Sequence, residues 1–340
     1  MSQTPRQSAE RSVPTSADVA RLAGVSRATV SYVLNNTSAV RISEPTRRRV
    51  REAAEELGYV PHAAARSLRA GHTRIVLLPT AHVPIGPLYS RFINELQWAL
   101  RRLDYTVVQY GSLGLDGDAA ARAWAELRPV AVVSLGEIAL TPQGVEVLKR
   151  SGAKAVITLG PQHVEGAHSL VMDQREIGAR AAEHLLERGY RRIGVIMPEE
   201  QGLDLFSEPR LAGVRQAAEL AGALVRPVPL SYDEVAAGAL AARWGDLGLD
   251  AVYAYNDEYA MLLMRALQDA GITIPDETAV IGADDLLLGR LLRPRLSTVR
   301  IDLVTGQYLA ELVDRAVRDP GGVPERHDLM GAQAVRREST

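Results

Sequence analysis

Three sets of polar residues in the chain have the types and spacing to do chemistry. Arg210 opens a predicted helix just after a predicted strand, and its planar fork suits bidentate contacts. Asn256 and Asp257 end one predicted strand and Asp284 follows another, where parallel sheets present side chains to a ligand crevice. Asn with Asp supplies the donors and acceptors that sugar hydroxyls or a purine edge would need. Asp257 fits a helix N-cap equally well, and Asp285 reads as structural. Tyr89, Phe206 and Tyr232 have faces to stack on a ligand, although buried aromatics more often fill core.

Signals for catalysis are weak by comparison. Gly111, Gly114 and Gly117 follow a strand without the spacing of a dinucleotide fingerprint, and no phosphate-loop, zinc-protease or serine-elbow string occurs. With no Cys, thiolate nucleophiles and cysteine-ligated metals are excluded. His163 and His168 share a loop but lack a third ligand. No enzyme, cofactor or metal is expected.

The elements that must position these residues are strands alternating with helices. Predicted strands run Ile75–Leu78, Thr106–Tyr110, Val130–Leu135 and Ala155–Leu159, then Leu170–Met172, Ile193–Met197, Leu224–Val228, Ala251–Tyr255 and Ala279–Ile281. Helices such as Arg91–Leu103, Pro142–Arg150, Glu176–Arg188, Arg210–Ala221 and Glu258–Ala270 lie between them. Two successive series of this kind imply two doubly wound parallel sheets, with a natural small-molecule site in the crevice between them.

At 340 residues, two or three domains are expected, and 46% hydrophobic with 24% charged residues is ordinary globular composition. The first forty residues hold no apolar export segment, and nowhere do eighteen apolar residues run together, so a cytoplasmic protein is expected. Charge is uneven. Met1 to Arg74 carries twelve Arg against six acids, a balance of +6, while the remainder carries −8. A basic segment on an acidic body points to nucleic acid as that segment's partner.

Within that segment, residues 1–14 read as a disordered tail. Thr15 and Asp18 then form a capping box for a helix carrying Val19, Leu22 and Ala23 inward, which Gly24 ends. Ser26 opens a second helix with Val30, Val33 and Leu34 inward. Ser43 opens a third, with Val50, Ala53, Ala54 and Leu57 on one face and Gly58 as its stop. The first two make a helix-turn-helix, leaving Arg27, Ala28, Ser31 and Tyr32 outward to meet a major groove. Residues 61–72 are a short Ala-rich stretch between breakers, marginal as a helix, and read as a conditional hinge.

The string Ala17 to Asn35, then Arg47 to Pro61, Ala65-Arg-Ser-Leu68, Ala251-Val-Tyr-Ala-Tyr-Asn-Asp257, Ile274-Pro-Asp276, Val280 to Asp285, Pro294 to Val299 and Arg337-Glu-Ser-Thr340 resembles the LacI/GalR family of bacterial transcriptional regulators. The resemblance runs from Thr15 to the C-terminus. It implies a homodimer, or a tetramer built from it, on a pseudo-palindromic double-stranded DNA operator, with a small effector bound between two subdomains shaped like periplasmic sugar-binding proteins. By motif, Ser16, Ser26, Thr29 and Asn35 match phosphate-contacting positions, and Arg27, Ala28 and Tyr32 match base-reading ones, with Ser31 beside them. Leu68 matches the hinge leucine that wedges into the minor groove, and Arg69 adjoins it. Tyr89, Arg210, Asn256, Asp257 and Asp284 are the effector-binding candidates. Tyr32 replaces an Arg that many members aim at guanine, so the bidentate readout is missing and no operator sequence carries over. His62 replaces a common Asn in the hinge, Leu88-Tyr89 replaces an aromatic pair, and Ala283 replaces an aromatic.

The expected fold is an all-α helix-turn-helix headpiece (15–60) and a hinge (61–72) before an α/β core of two doubly wound parallel-sheet subdomains (73–340). The first subdomain takes about 73–170 and 302–330, the second about 171–301 and 331–340. The expected function is a DNA-binding regulator, a repressor, whose operator affinity answers to a small polar effector, a sugar first and a nucleoside or purine second. Two readings compete. A solute-binding receptor of the same core would have no use for the helix-turn-helix; a sugar- or nucleotide-converting enzyme with an appended DNA-binding domain would turn its ligand over.

Overall fold

The computed structural model describes residues 13–34, 40–60, 73–80, 86–111, 114–135, 140–328 and 331–340. The chain divides into two compact units, Met1–Thr73 and Arg74–Thr340.

The first unit holds helices α1 (Ser16–Ala23), α2 (Arg27–Leu34) and α3 (Glu44–Glu56). Thr15 and Asp18 form the capping box reciprocally: the Thr15 amide donates to Asp18 Oδ2 at 2.9 Å and the Asp18 amide to Thr15 Oγ1 at 3.4 Å. Gly24 ends α1 at φ 65°, the left-handed conformation that glycine adopts without a Cβ clash. Val19, Ala20, Ala23, Val30, Val33, Val50, Ala53 and Ala54 make a small closed core. Leu22, expected inside, is exposed, and Ala20 takes the inward place. Val19, Ala20 and Ala23 share one face of the helix at i, i+1 and i+4, and Leu22 falls to the side of it.

The second unit is built on two six-stranded sheets. The strands are β1 (Ile75–Thr80), β2 (Thr106–Gly111), β3 (Ala131–Ser134), β4 (Ala155–Gly160), β5 (His168–Val171), β6 (Arg192–Pro198), β7 (Leu224–Leu230), β8 (Ala251–Tyr253), β9 (Ala279–Ala283), β10 (Ser297–Ile301), β11 (Arg326–Asp328) and β12 (Ala332–Val335). One sheet has the order β11-β5-β4-β3-β1-β2 and the other β12-β10-β9-β8-β6-β7. Every pairing is parallel except β10 with β12. β1 and β3 are apolar runs buried on both faces, as parallel strands covered by helices must be. β7 carries Pro227 and Pro229, which a sheet tolerates only at an edge, and β7 is an edge.

The chain crosses between sheets three times: after β5, between β10 and β11, and before β12. β10, β11 and β12 were not among the predicted strands. β11 (Arg-His-Asp) and β12 (Ala-Gln-Ala-Val) have no apolar run of their own and exist because an existing sheet edge completes their hydrogen bonds.

Candidate functional site

Ser26, just before α2, and Arg27, Ala28 and Tyr32 on it are exposed, Tyr32 at 39%, while Thr29 and Ser31 on α2 and Ser16 at the start of α1 are half-buried. The Thr29 amide donates to Ser26 Oγ at 3.1 Å, so Ser26 closes the first turn of α2. Val30 and Val33 pin the opposite face into the core, fixing which residues face out. Asn35, Leu68 and Arg69, with the hinge and His62, lie outside the described residues.

The second unit has a cavity of about 360 Å³ between its two sheets, at the carboxyl ends of their strands. Four of the five effector candidates, Tyr89, Arg210, Asn256 and Asp284, line it, as do Phe206 and Tyr232. Arg210 is buried. Its Nε donates to Gln174 Oε1 at 2.9 Å, its Nη1 to the Tyr255 carbonyl at 2.7 Å, and its guanidinium lies 4.8 Å from the centre of the Tyr255 ring. The sequence pattern predicts that it opens its helix, and it does not; the helix begins at Asp204 and tolerates Pro209 in its second turn. That helix meets Gln174–Glu187 at a pair of glycines. A methyl on Gly178 would sit 1.9 Å from the Arg210 carbonyl oxygen, and one on Gly213 the same distance from that of Arg175. Only glycine allows this approach, and it brings Gln174 within reach of Arg210.

Asp284 follows β9 at φ 101° and Asp285 at φ 52°, a conformation that costs an L residue about 1–3 kcal/mol and persists where the surroundings hold it. The surroundings do hold it. Arg337 grips Asp285 from behind and donates to the Leu296 carbonyl at 2.7 Å. The Asp284 amide donates to the Val299 carbonyl at 2.9 Å. Burial raises the Asp284 carboxyl above its ordinary range, opposed by the Arg210 charge.

Asp257 is the candidate that the structure keeps out of the cavity. It is fully buried behind the Asp284 loop, accepting from Thr298 Oγ1 at 2.6 Å and from the Leu286 amide at 2.7 Å. Gly282 makes room for it, since a Cβ there would fall 2.3 Å from Asp257 Oδ1. Nor is it the N-cap; Asn256 is, accepting from the Tyr259 amide at 3.0 Å. Burial pushes the Asp257 carboxyl from 3.8 up to about 7. The folded protein therefore holds this proton more tightly than the unfolded chain does. The resulting stabilisation is full below pH 3.8, falls as pH rises, and is gone above about 7. Asp257→Asn should remove that slope, worth on the order of a few kcal/mol. Melting curves of both proteins from pH 4 to 8 check it; parallel curves would show that Asp257 titrates as an ordinary carboxylate.

Residues missed in the sequence also line the cavity. Gln174 follows β5, Glu200 follows β6, and Glu258 with Tyr259 follows Asn256 after β8. The strand-end rule that selected Asn256 and Asp284 would have selected these too. Glu200 accepts from the Tyr259 hydroxyl and the Tyr232 amide. Burial alone would raise its carboxyl, but these bonds outweigh burial and hold it below the ordinary range. Tyr232, Tyr255 and Tyr259 form an aromatic corner, with ring centres 5.1 Å apart for Tyr232–Tyr259 and 5.7 Å for Tyr255–Tyr259. Of the histidines noted earlier, His163 Nδ1 meets Ser169 Oγ at 3.0 Å, and His168 Nδ1 accepts from the Glu325 amide at 3.1 Å. Among the described residues no group of three His, Cys, Asp or Glu could hold a metal, and no helix is long and apolar enough to cross a membrane.

Residues 15–62 match the model of bacterial regulatory proteins of the lacI family, and residues 182–340 match a periplasmic binding protein-like domain. The chain is 31% identical over 333 residues to the HTH-type transcriptional regulator GalR of Escherichia coli, covering 95% of this chain and 94% of that one. In structure it resembles the lac repressor dimer bound to operator and an anti-inducer, with a TM-score of 0.75 at 21% identity, covering 96% of this chain and 99% of that one. A LacI family regulator from Enterococcus faecium with bound ribose aligns with a TM-score of 0.64 at 21% identity, covering 78% of this chain and 98% of that one.

Proposed function

Because the chain belongs to the LacI family of bacterial regulatory proteins, we propose that it represses transcription from a pseudo-palindromic operator as a homodimer, and that a small polar effector sets its operator affinity. The carrying observation is one chain that pairs a helix-turn-helix, polar on its exposed face, with a separate 360 Å³ cavity at strand ends. The dimer and operator are supported by the lac repressor complex, and a sugar as effector by the ribose-bound regulator. Such a protein works at the chromosome, so a cytoplasmic location belongs to this reading. Its relatives are transcriptional regulators, and no catalytic step is part of this reading.

In this reading Ser16, Ser26, Thr29 and Asn35 hold phosphates, while Arg27, Ala28, Ser31 and Tyr32 meet base edges in the major groove. Leu68 and Arg69 act in the minor groove. Arg210, Asn256, Asp284 and Tyr89 contact the effector, and Asp257 positions the loop that carries Asp284. Residues 15–60 form the headpiece, 61–72 the hinge and 73–340 the core.

Selection of bound genomic fragments with the full chain supplies the operator, and a salt titration on it tests the interface. Phosphate contacts release counterions, so affinity should fall by roughly 10³-fold or more between 50 and 200 mM salt if about six phosphates are neutralised. A flat response would remove the basic segment as the DNA-binding face.

A further inference from the structure

The walls of the cavity say more about the effector than the family does. Among the described residues four charged side chains line it: Arg210 and the carboxylates of Glu200, Glu258 and Asp284. Arg210 is largely committed to Gln174, to the Tyr255 carbonyl and to the Tyr255 ring. Glu200 is satisfied by Tyr259 and Tyr232. Glu258 and Asp284 remain. Neither forms an ion pair among the described residues. Burial raises both carboxyls; the Asp284 charge raises Glu258 further against a hydrogen bond from Asn256, and the Arg210 charge opposes the rise at Asp284. Much of the remaining lining is apolar: Tyr89, Phe92, Leu135 and Leu159 from one half, Phe206 and Tyr232 from the other. Glu258 reaches across between the halves, its Oε2 lying 3.5 Å from where a Cβ on Gly86 would be.

Building on the proposed effector site, we infer that the effector carries no anionic group and is part apolar. A head rich in hydrogen-bond donors, hydroxyls or a protonated amine, is held by Glu258 and Asp284, and an apolar body lies on the aromatic wall. Both donor types give a carboxylate what it lacks. The aromatic faces accept either the C–H face of a ring or a cation. A phosphate or carboxylate on the ligand would instead add negative charge beside these two carboxylates, and Arg210, the one guanidinium among the described lining residues, is already mostly engaged. Glu258 is thereby the residue that sets specificity against anions, a role the sequence pattern did not give it.

The test uses the full chain and matched probes on three scaffolds, glucose, galactose and ribose. Each is offered as the parent sugar, the amino sugar, the phenyl glycoside, the terminal phosphate and the sugar acid, first by thermal shift and then by calorimetry. On the scaffold that binds best, the phosphate and acid forms should bind at least about 30-fold more weakly than the parent or amino form, and the phenyl glycoside several-fold more tightly than the parent. Glu258→Gln should shrink the discrimination against the phosphate about tenfold while still binding the parent sugar. An amino form that binds more tightly than its parent marks the head as cationic; equal binding marks it as hydroxyl. The inference is overturned if a phosphate or acid form binds as tightly as its parent, or if Glu258→Gln leaves the ratio unchanged. Should no probe in any form bind, the reading of the effector as a sugar falls, and this inference with it.

Discussion

A chain that begins at Thr73 should lose specific operator binding, by about 10³-fold or more, while keeping a cooperative melting transition. The ratio is the usual gap between specific and non-specific binding, and every residue proposed to touch DNA lies before the cut. The Arg74–Thr340 unit has its own two sheets and its own apolar cores, none of which draws a residue from Met1–Thr73. The headpiece core is equally self-contained. The charge divides the same way, +6 in the first 74 residues and −8 in the rest, so the truncated protein would repel DNA phosphates at low salt. Fluorescence anisotropy on the selected operator, with thermal melting of the same samples, measures both halves of the expectation. Undiminished operator affinity would mean that the helix-turn-helix is not the reader.

The second large effect is expected at the effector. Arg210→Ala should weaken binding of the tightest probe by about 2–5 kcal/mol, or roughly 30-fold to several thousandfold. The guanidinium holds two protein acceptors as well as any ligand, so this variant also leaves Gln174 Oε1 and the Tyr255 carbonyl without their donor. Some of its loss will appear as a lower melting temperature. Asp284→Asn separates the two causes. Asn tolerates positive φ better than most residues, so the loop at φ 101° is kept and only the charge goes. Its melting temperature should stay near that of the wild type while probe affinity falls. In both variants operator affinity without probe should change little, since the residues lie outside the headpiece. Linkage adds a constraint: whatever factor a bound probe changes operator affinity by, the operator must change probe affinity by that factor. Calorimetry with and without operator reads it. Two variants that bind like the wild type would leave both residues with a structural role only.

The headpiece was legible in the sequence because its signals are local. A capping box at Thr15 and Asp18, a left-handed glycine at Gly24 and an apolar stripe through Val30 and Val33 each act within one or two turns. The outward face of α2 follows from them. The strands β1, β3, β4, β6, β8 and β9 were legible for a similar reason, being apolar runs that must be buried on both faces wherever they pair. Strand ends then pointed to Arg210, Asn256 and Asp284, and all three do meet in one cavity.

What only the tertiary structure decided depends on atoms distant in sequence. Asp257 and Glu258 are neighbours after the same strand, and the pattern selected Asp257 and passed over Glu258, the reverse of what the fold does. The first is turned into the protein by Thr298, Leu286 and the space left at Gly282; the second is turned into the cavity towards Gly86. Their carboxylates share a chemistry and differ in surroundings. The sequence by itself determined the local geometry of helices and buried strands, and hence the reader helix and the strand ends that supply a ligand site. The order of strands at the sheet edges, the glycine contact that places Gln174 beside Arg210, and the choice between a buried and a ligand-facing carboxylate were settled by packing. Each is fixed by contacts across dozens of residues, and no short-range pattern records them.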